Sequence, residues 1–197
     1  MPLSDGYHDL PPGKLASVVT CLEMRSPAPQ RPERAGSSFT IERVVAPDAE
    51  WYRALFRRVG AEYLWASRLV LNDEQLLGIV RDENVRVYRV LAGSDEAGLL
   101  ELDFRTPHEC ELVFFGVADP YVGSGAGRVM MNFALREAWS QPIERFWVHT
   151  CTLDHPRAID FYIRSGFVPY KRQVEIGDDP RVIGLLPRAC APAVPVL

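Results

Sequence analysis

Three glycines at alternate positions, Gly123, Gly125 and Gly127, fall in the run Val122-Gly123-Ser124-Gly125-Ala126-Gly127-Arg128, between a strand-like segment (Glu111 to Val117) and a helix-like one (Gly127 to Trp139). Glycine lets the backbone take positive φ and approach an anion closely, and the first N–H groups of a helix favour negative charge. Such a loop suits a pyrophosphate. It lacks the Gly-Lys-Ser/Thr of a nucleotide P-loop, and Arg128 stands where a dinucleotide fingerprint counted from Gly123 needs Gly or Ala. Taken alone, the same residues describe a tight strand-to-helix turn equally well.

A second run, Ala158-Ile159-Asp160-Phe161-Tyr162-Ile163-Arg164-Ser165-Gly166-Phe167, has the form of a helix closed by glycine and followed at once by a strand. Together the two runs resemble the GNAT acetyltransferase superfamily, whose signature is a strand, Arg/Gln-x-x-Gly-x-Gly/Ala opening a helix, a second strand, Asn-x-x-Ala-x-x-x-Tyr on the next helix, and Gly-Phe. Gly125 and Gly127 match the loop, and Ala158, Tyr162, Gly166 and Phe167 match in register; the resemblance covers about residues 39 to 186. Val122 replaces the usual Arg or Gln, and His155 replaces the usual Asn.

The resemblance implies an α/β fold: a mixed, mostly antiparallel sheet with a central splayed parallel strand pair and helices on both faces. It implies acetyl-CoA as cosubstrate and direct transfer of its acetyl group to an amine. The cofactor-binding set would be Phe115 and Val117 with the Gly116 backbone along the pantetheine arm, and Val122, Gly123, Ser124, Gly125, Ala126, Gly127 and Arg128 at the pyrophosphate. His155 and Ala158 would lie beside the arm. Tyr162 would be the general acid that protonates the departing thiolate. Many family members carry a general base on the first parallel strand, and Glu111 stands where the best-studied histone acetyltransferases have theirs. The alternative on the same fold is a non-catalytic acyl-CoA-binding or regulatory module.

Strand alternation puts Glu111 on one face with Val113, Phe115 and Val117, where apolar neighbours would raise its pKa to a useful range. Glu101 and Asp103, sharing a face of the preceding strand, are rival bases or recognition groups for a cationic substrate. Trp65, Ser67 and Arg68 are acceptor-pocket candidates. His149, Cys151 and His155 do not have a standard zinc spacing, so no metal is expected, and His149 is expected to be a buried strand histidine.

The elements that must hold these residues follow from periodicity. Leu15 to Met24 is a candidate strand after the turn signal Pro11-Pro12-Gly13, and residues 25–38 form a Pro-rich linker. We divide the chain into an N-terminal extension (1–38), a catalytic domain (39–188) and a tail (189–197). Phe39 to Val45 suggests a strand, Pro47-Asp48 opens a helix to about Val59, a second helix spans Glu62 to Val70, and Asn72 caps a third from Asp73 to Val80. Val85 to Leu91, Gly98 to Arg105 and Glu111 to Val117 should form an antiparallel meander, because their separators are short and turn-rich. Then come the helix Gly127 to Trp139, strand Arg145 to Cys151, helix Pro156 to Ser165, strand Phe167 to Ile176 and a last strand at Arg181 to Leu186. Strands flanking a helix should run parallel.

Composition excludes several classes. The chain has 197 residues, 47% hydrophobic and 24% charged, which suits one globular domain plus an extension. A net charge of −4 lacks the basic excess that nucleic acid would demand. Four widely spaced cysteines suggest reduced thiols, Met1 to Leu10 has no signal-peptide core, and no apolar run reaches membrane-spanning length. The expectation is a cytoplasmic protein acting on a small-molecule or peptide amine, with no nucleic-acid or membrane partner and with homodimerisation open to it.

Overall fold

The computed structural model describes residues 4–197. Its centre is a seven-stranded sheet in the order β2-β3-β4-β5-β6-β1-β7. The strands are β1 (Lys14–Met24), β2 (Phe39–Arg43), β3 (Val85–Ala92), β4 (Asp95–Asp103), β5 (Glu109–Val117), β6 (Arg145–Cys151) and β7 (Val168–Asp178). Short turns make β3, β4 and β5 an antiparallel meander, and the helical crossover between β5 and β6 makes that pair parallel.

Helices cover both faces. The first, α1 (Ala49–Gly60), starts where the Asp48 carboxylate accepts hydrogen bonds from the Glu50 and Trp51 amides. A reciprocal capping box between Asn72 and Gln75 starts α2 (Asp73–Val80). These two pack on one face through Tyr52, Leu55, Phe56 and Leu76, with Val87 and Leu99 of the sheet beneath them. On the opposite face α3 (Ala126–Trp139) and α4 (Ala158–Arg164) cover Leu22, Leu100, Leu112, Phe146 and Val148.

The N-terminal segment is part of this sheet, because β1 lies between β6 and β7 and is antiparallel to both. Consequently β6 and β7 share a direction without touching as neighbours. Residues 25–38 have no regular structure, yet they are fastened across α3. The buried Asn132 side chain accepts from the Arg31 amide and donates to the Arg31 carbonyl and the Glu33 carboxylate.

Two expected elements are absent. Only a single 3₁₀ turn, Ala61–Tyr63, forms where a helix to Val70 was expected. Leu64 turns left-handed (φ 57°), and Trp65 is drawn toward Phe56 and Phe114, with ring centroids 5.6 and 5.2 Å away. Burial of that indole outweighs helical periodicity. At Arg181 to Leu186 the chain forms turns, since the buried Arg181 guanidinium bonds Asp179 at 2.8 Å and the carbonyls of Cys190, Ala191 and Val194. The tail then folds back to the 3₁₀ turn after α1, where the Ala191 amide reaches Glu62.

Candidate functional site

The parallel pair β5 and β6 stays in register only from Glu109↔Arg145 to Glu111↔Trp147. Beyond that point the strands part, and a cavity of about 750 Å³ opens between them. Residues Leu112 to Val117 line one wall, Val148 to Cys151 another, and the glycine loop and α4 close one end. Backbone groups of β5 that face the gap are thereby free to bond an extended ligand.

At the loop, Gly123 and Gly125 take φ of 81° and 102°, which a side chain would strain. The amides of Gly123, Gly125 and Gly127 find no acceptor among the described residues. Three orphan donors at the start of a 14-residue helix form a nest for an anion. Ser124 and Ala126 serve the loop's shape and do not line the cavity: the Ser124 hydroxyl donates to the Tyr121 carbonyl at 2.6 Å and accepts from the Ala126 amide. The Val122 amide is spent on Asp119, while its side chain borders the opening.

Arg128 supplies a cation to the same end. Its guanidinium stacks over Phe161 at 4.8 Å and donates to the Ser165 hydroxyl. Burial and the nearby Arg31 and Arg164 charges lower its pKa from the ordinary guanidinium value, and no carboxylate pairs with it among the described residues. An incoming polyanion would relieve that crowding of like charge.

His155 and Ala158 line the cavity at the start of α4. His155 Nδ1 accepts from the Arg157 amide at 3.1 Å, as an Asx side chain does at a turn, so its Nε2 carries the proton. Tyr162 also lines the cavity, packed edge-on against Phe115, Phe161 and Phe167. Burial pushes its pKa up, and no hydrogen bond to a described residue engages its hydroxyl. Phe115 packs on Phe161, the rings tilted with centroids 5.7 Å apart, and Val117 continues the same wall.

The acidic residues divide differently from the sequence expectation. Val113 is an extra residue in β5, since Glu101 faces Phe114 while Leu102 faces Leu112. This bulge reverses the alternation. Glu111 therefore shares a face with Phe114 and Gly116, and not with Phe115 and Val117, which pack against the α3 side. Glu111 borders a second, smaller pocket with Asp103, Arg105, Thr106 and Trp147, and its carboxylate lies 3.3 Å from His149 Nδ1.

Glu101 is wholly buried, accepting from the Tyr52 hydroxyl and from Arg68 at 2.6 Å, so both are structural partners. Arg68 is thus removed from the acceptor pocket, whereas Trp65 and Ser67 line it. Asp103 is held by Arg105. His149, expected to be buried, is only half-buried on the cavity wall. Asp154 escaped notice in the sequence; its carboxylate accepts from Trp65 Nε1, the Thr150 hydroxyl and the Cys151 amide, which ties the 61–70 loop to β6. An Asp three residues past a strand carries no distinguishing sequence signal. Among the described residues no group of three or more metal-ligating side chains comes together, and no helix is long and apolar enough to cross a membrane.

The acetyltransferase (GNAT) family model matches residues 32–167. No curated protein matches the chain. Among solved structures, a functionally unknown conserved protein from Staphylococcus epidermidis superposes with a TM-score of 0.60 at 13% identity, over 85% of this chain and 63% of that one. This chain therefore spans less than two thirds of that protein. An aminoglycoside acetyltransferase from an uncultured soil metagenomic sample gives 0.54 at 18% identity, over 65% and 87%. The ribosomal-protein-S18-alanine N-acetyltransferase from Escherichia coli gives 0.56 at 13% identity, over 72% and 94%. At such identities the likeness is one of fold.

Proposed function

Because the chain belongs to the GNAT acetyltransferase family, we propose that it transfers the acetyl group of acetyl-CoA to a primary amine by direct attack. The observation that carries this reading is the cavity at the β5–β6 splay, with three orphan amides at one end and a free tyrosine hydroxyl on its wall. Pyrophosphate would sit on the amides of Gly123, Gly125 and Gly127 beside Arg128. The pantetheine arm would run along Phe115 to Val117 past His155 and Ala158. The thioester would then lie in the gap, near Tyr162.

In the reaction the amine nitrogen forms a bond to the thioester carbonyl carbon, the C–S bond breaks, the amine gives up a proton and the thiolate gains one. Tyr162 is the donor for the thiolate. The acceptor is a small-molecule or peptide amine, and the setting is the cytoplasm. The cosubstrate's binding and its use are separable by experiment. Calorimetry should detect acetyl-CoA binding, and thiol release should rise with at least one amine from a panel of spermidine, lysine, sisomicin and a peptide with N-terminal alanine. Sisomicin is the molecule bound in another structure of the soil-metagenome aminoglycoside acetyltransferase, and alanine is the residue named for the Escherichia coli neighbour. Binding without thiol release across the panel would turn the reading into a non-catalytic acyl-CoA module, and absence of binding would overturn both.

A further inference from the structure

We infer that His149 is the proton acceptor for the incoming amine and that Glu111 is the residue that positions it; this rests on the transferase reading above. His149 follows Trp147, the last β6 residue paired with β5, so it stands where the gap opens. Its ring lines the cavity, whereas the Glu111 carboxylate lies behind it in the separate small pocket. Nδ1 faces that carboxylate at 3.3 Å, and Nε2 has no partner among the described residues. A carboxylate behind one ring nitrogen fixes the tautomer and turns the other nitrogen outward as a base.

Of the other acids near the cavity, Glu175 stands on β7, beyond β1 from His149, and the rest are committed elsewhere. Glu101 is buried with Tyr52 and Arg68, and Asp154 accepts three hydrogen bonds. The groups facing His149 are Glu111 from β5, Asp154 from the turn after β6, Glu175 from β7, and the thiol of Cys21, its register partner on β1. Hydrogen bonding to Glu111, with the charges of Asp154 and Glu175, holds the imidazole pKa above its ordinary value against the effect of burial. A base of that strength suits the deprotonation of an ammonium near neutral pH.

The sign of the pH effect follows. The carboxylate favours imidazolium, so removing it lowers the His149 pKa, and the neutral base persists to lower pH. In ¹H–¹³C titrations of the imidazoles, the resonance lost in His149→Gln should move to lower pH in Glu111→Gln. In kcat/KM profiles with the best amine of the panel, the ascending limb should disappear in His149→Gln, with a loss of about 10²-fold or more near neutral pH. In Glu111→Gln the limb should shift to lower pH and remain. Acetyl-CoA affinity should be parental in both variants. A parental limb in His149→Gln, or a limb abolished by Glu111→Gln alone, would overturn the assignment while leaving the transferase reading intact. If no amine is acetylated, that reading falls and this one with it.

A separate observation concerns β7, whose eleven residues are exposed along the whole strand and which ends the sheet. Val168, Tyr170, Val174 and Ile176 are 63%, 44%, 47% and 58% exposed, and the tail turns away to the 3₁₀ turn after α1. An uncovered apolar edge is a template for another strand. The geometry points to a second copy of this chain as the occupant, through antiparallel pairing of β7 with itself about a two-fold axis. Pairing the full strand centres the axis on Gln173. That register sets Lys171 opposite the partner's Glu175 and Tyr170 opposite the partner's Ile176, each twice, and neither Lys171 nor Glu175 has an ion-pair partner among the described residues.

Analytical ultracentrifugation should find a dimer for the parent. Lys171→Glu and Glu175→Lys should each weaken it by about tenfold or more, because like charges meet twice across the axis, and the double reversal should restore it. Melting curves must match throughout. A monomeric parent at micromolar concentration, or single reversals that dimerise as the parent does, would overturn the pairing.

Discussion

Gly127→Asp should fold as the parent does and lose acetyl-CoA binding, with Kd rising about 10²-fold or more. A Cβ on Gly127 would meet only the Phe161 ring, at 3.9 Å, so the free protein has room for the new side chain. The liganded protein does not. The carboxylate would stand at the start of α3, among the orphan amides meant for pyrophosphate, and would both repel the phosphates and occupy their donors. Hydrogen bonds to charged groups are each worth about 1.5 to 3 kcal/mol, so two lost bonds account for a change of that size. Gly125→Asp is a poorer test, because the backbone there is at positive φ and a Cβ would press on Ser37 and Arg34 of the segment 25–38. Calorimetry on Gly127→Asp, with a parental melting curve, decides the matter; parental affinity would remove the phosphate role from the loop.

Features carried by short stretches of chain were legible in the sequence. The glycine loop, the meander, the Asn72 cap and the helix ending at Gly166 each depend on a few adjacent residues, and the structure has all of them. What was hidden depends on distant partners. Nothing within Lys14–Met24 tells that it pairs with Cys151 on one side and Asp178 on the other. A strand period cannot announce a bulge that exists only between β4 and β5, so Glu111 was given the wrong face.

The same holds for the loop after α1. Glu62 to Val70 has acceptable helical spacing, but Trp65 finds a better partner in Asp154, nearly ninety residues away. His149 was read from its own strand as buried, while its value comes from Glu111 on the neighbouring strand and from the splay beside it. Pairing across the sheet thus decides which polar side chains reach the cavity, and that information is absent from any single segment.

Tyr162→Phe should lower kcat about 10²-fold or more and leave acetyl-CoA affinity and thermal stability near parental. The ring packs against Phe115, Phe161 and Phe167, and phenylalanine keeps those contacts. Among the described residues the hydroxyl makes no hydrogen bond whose loss would cost stability. Burial raises its pKa, so it stays protonated and donating through the physiological range instead of titrating. A departing thiolate in a cavity with apolar walls lacks the water that would otherwise stabilise its charge, and a neutral donor aimed into that space stabilises it as the C–S bond lengthens. The benefit exists only as that charge develops, which is why kcat falls while affinity does not. A tyrosine kept for packing alone would give a Phe variant with parental kcat. A variant that lost kcat, affinity and melting temperature together would point to misfolding. Steady-state thiol release, calorimetry and melting curves on the same preparation separate these outcomes, and parental kcat in a stable Tyr162→Phe protein would end the general-acid assignment.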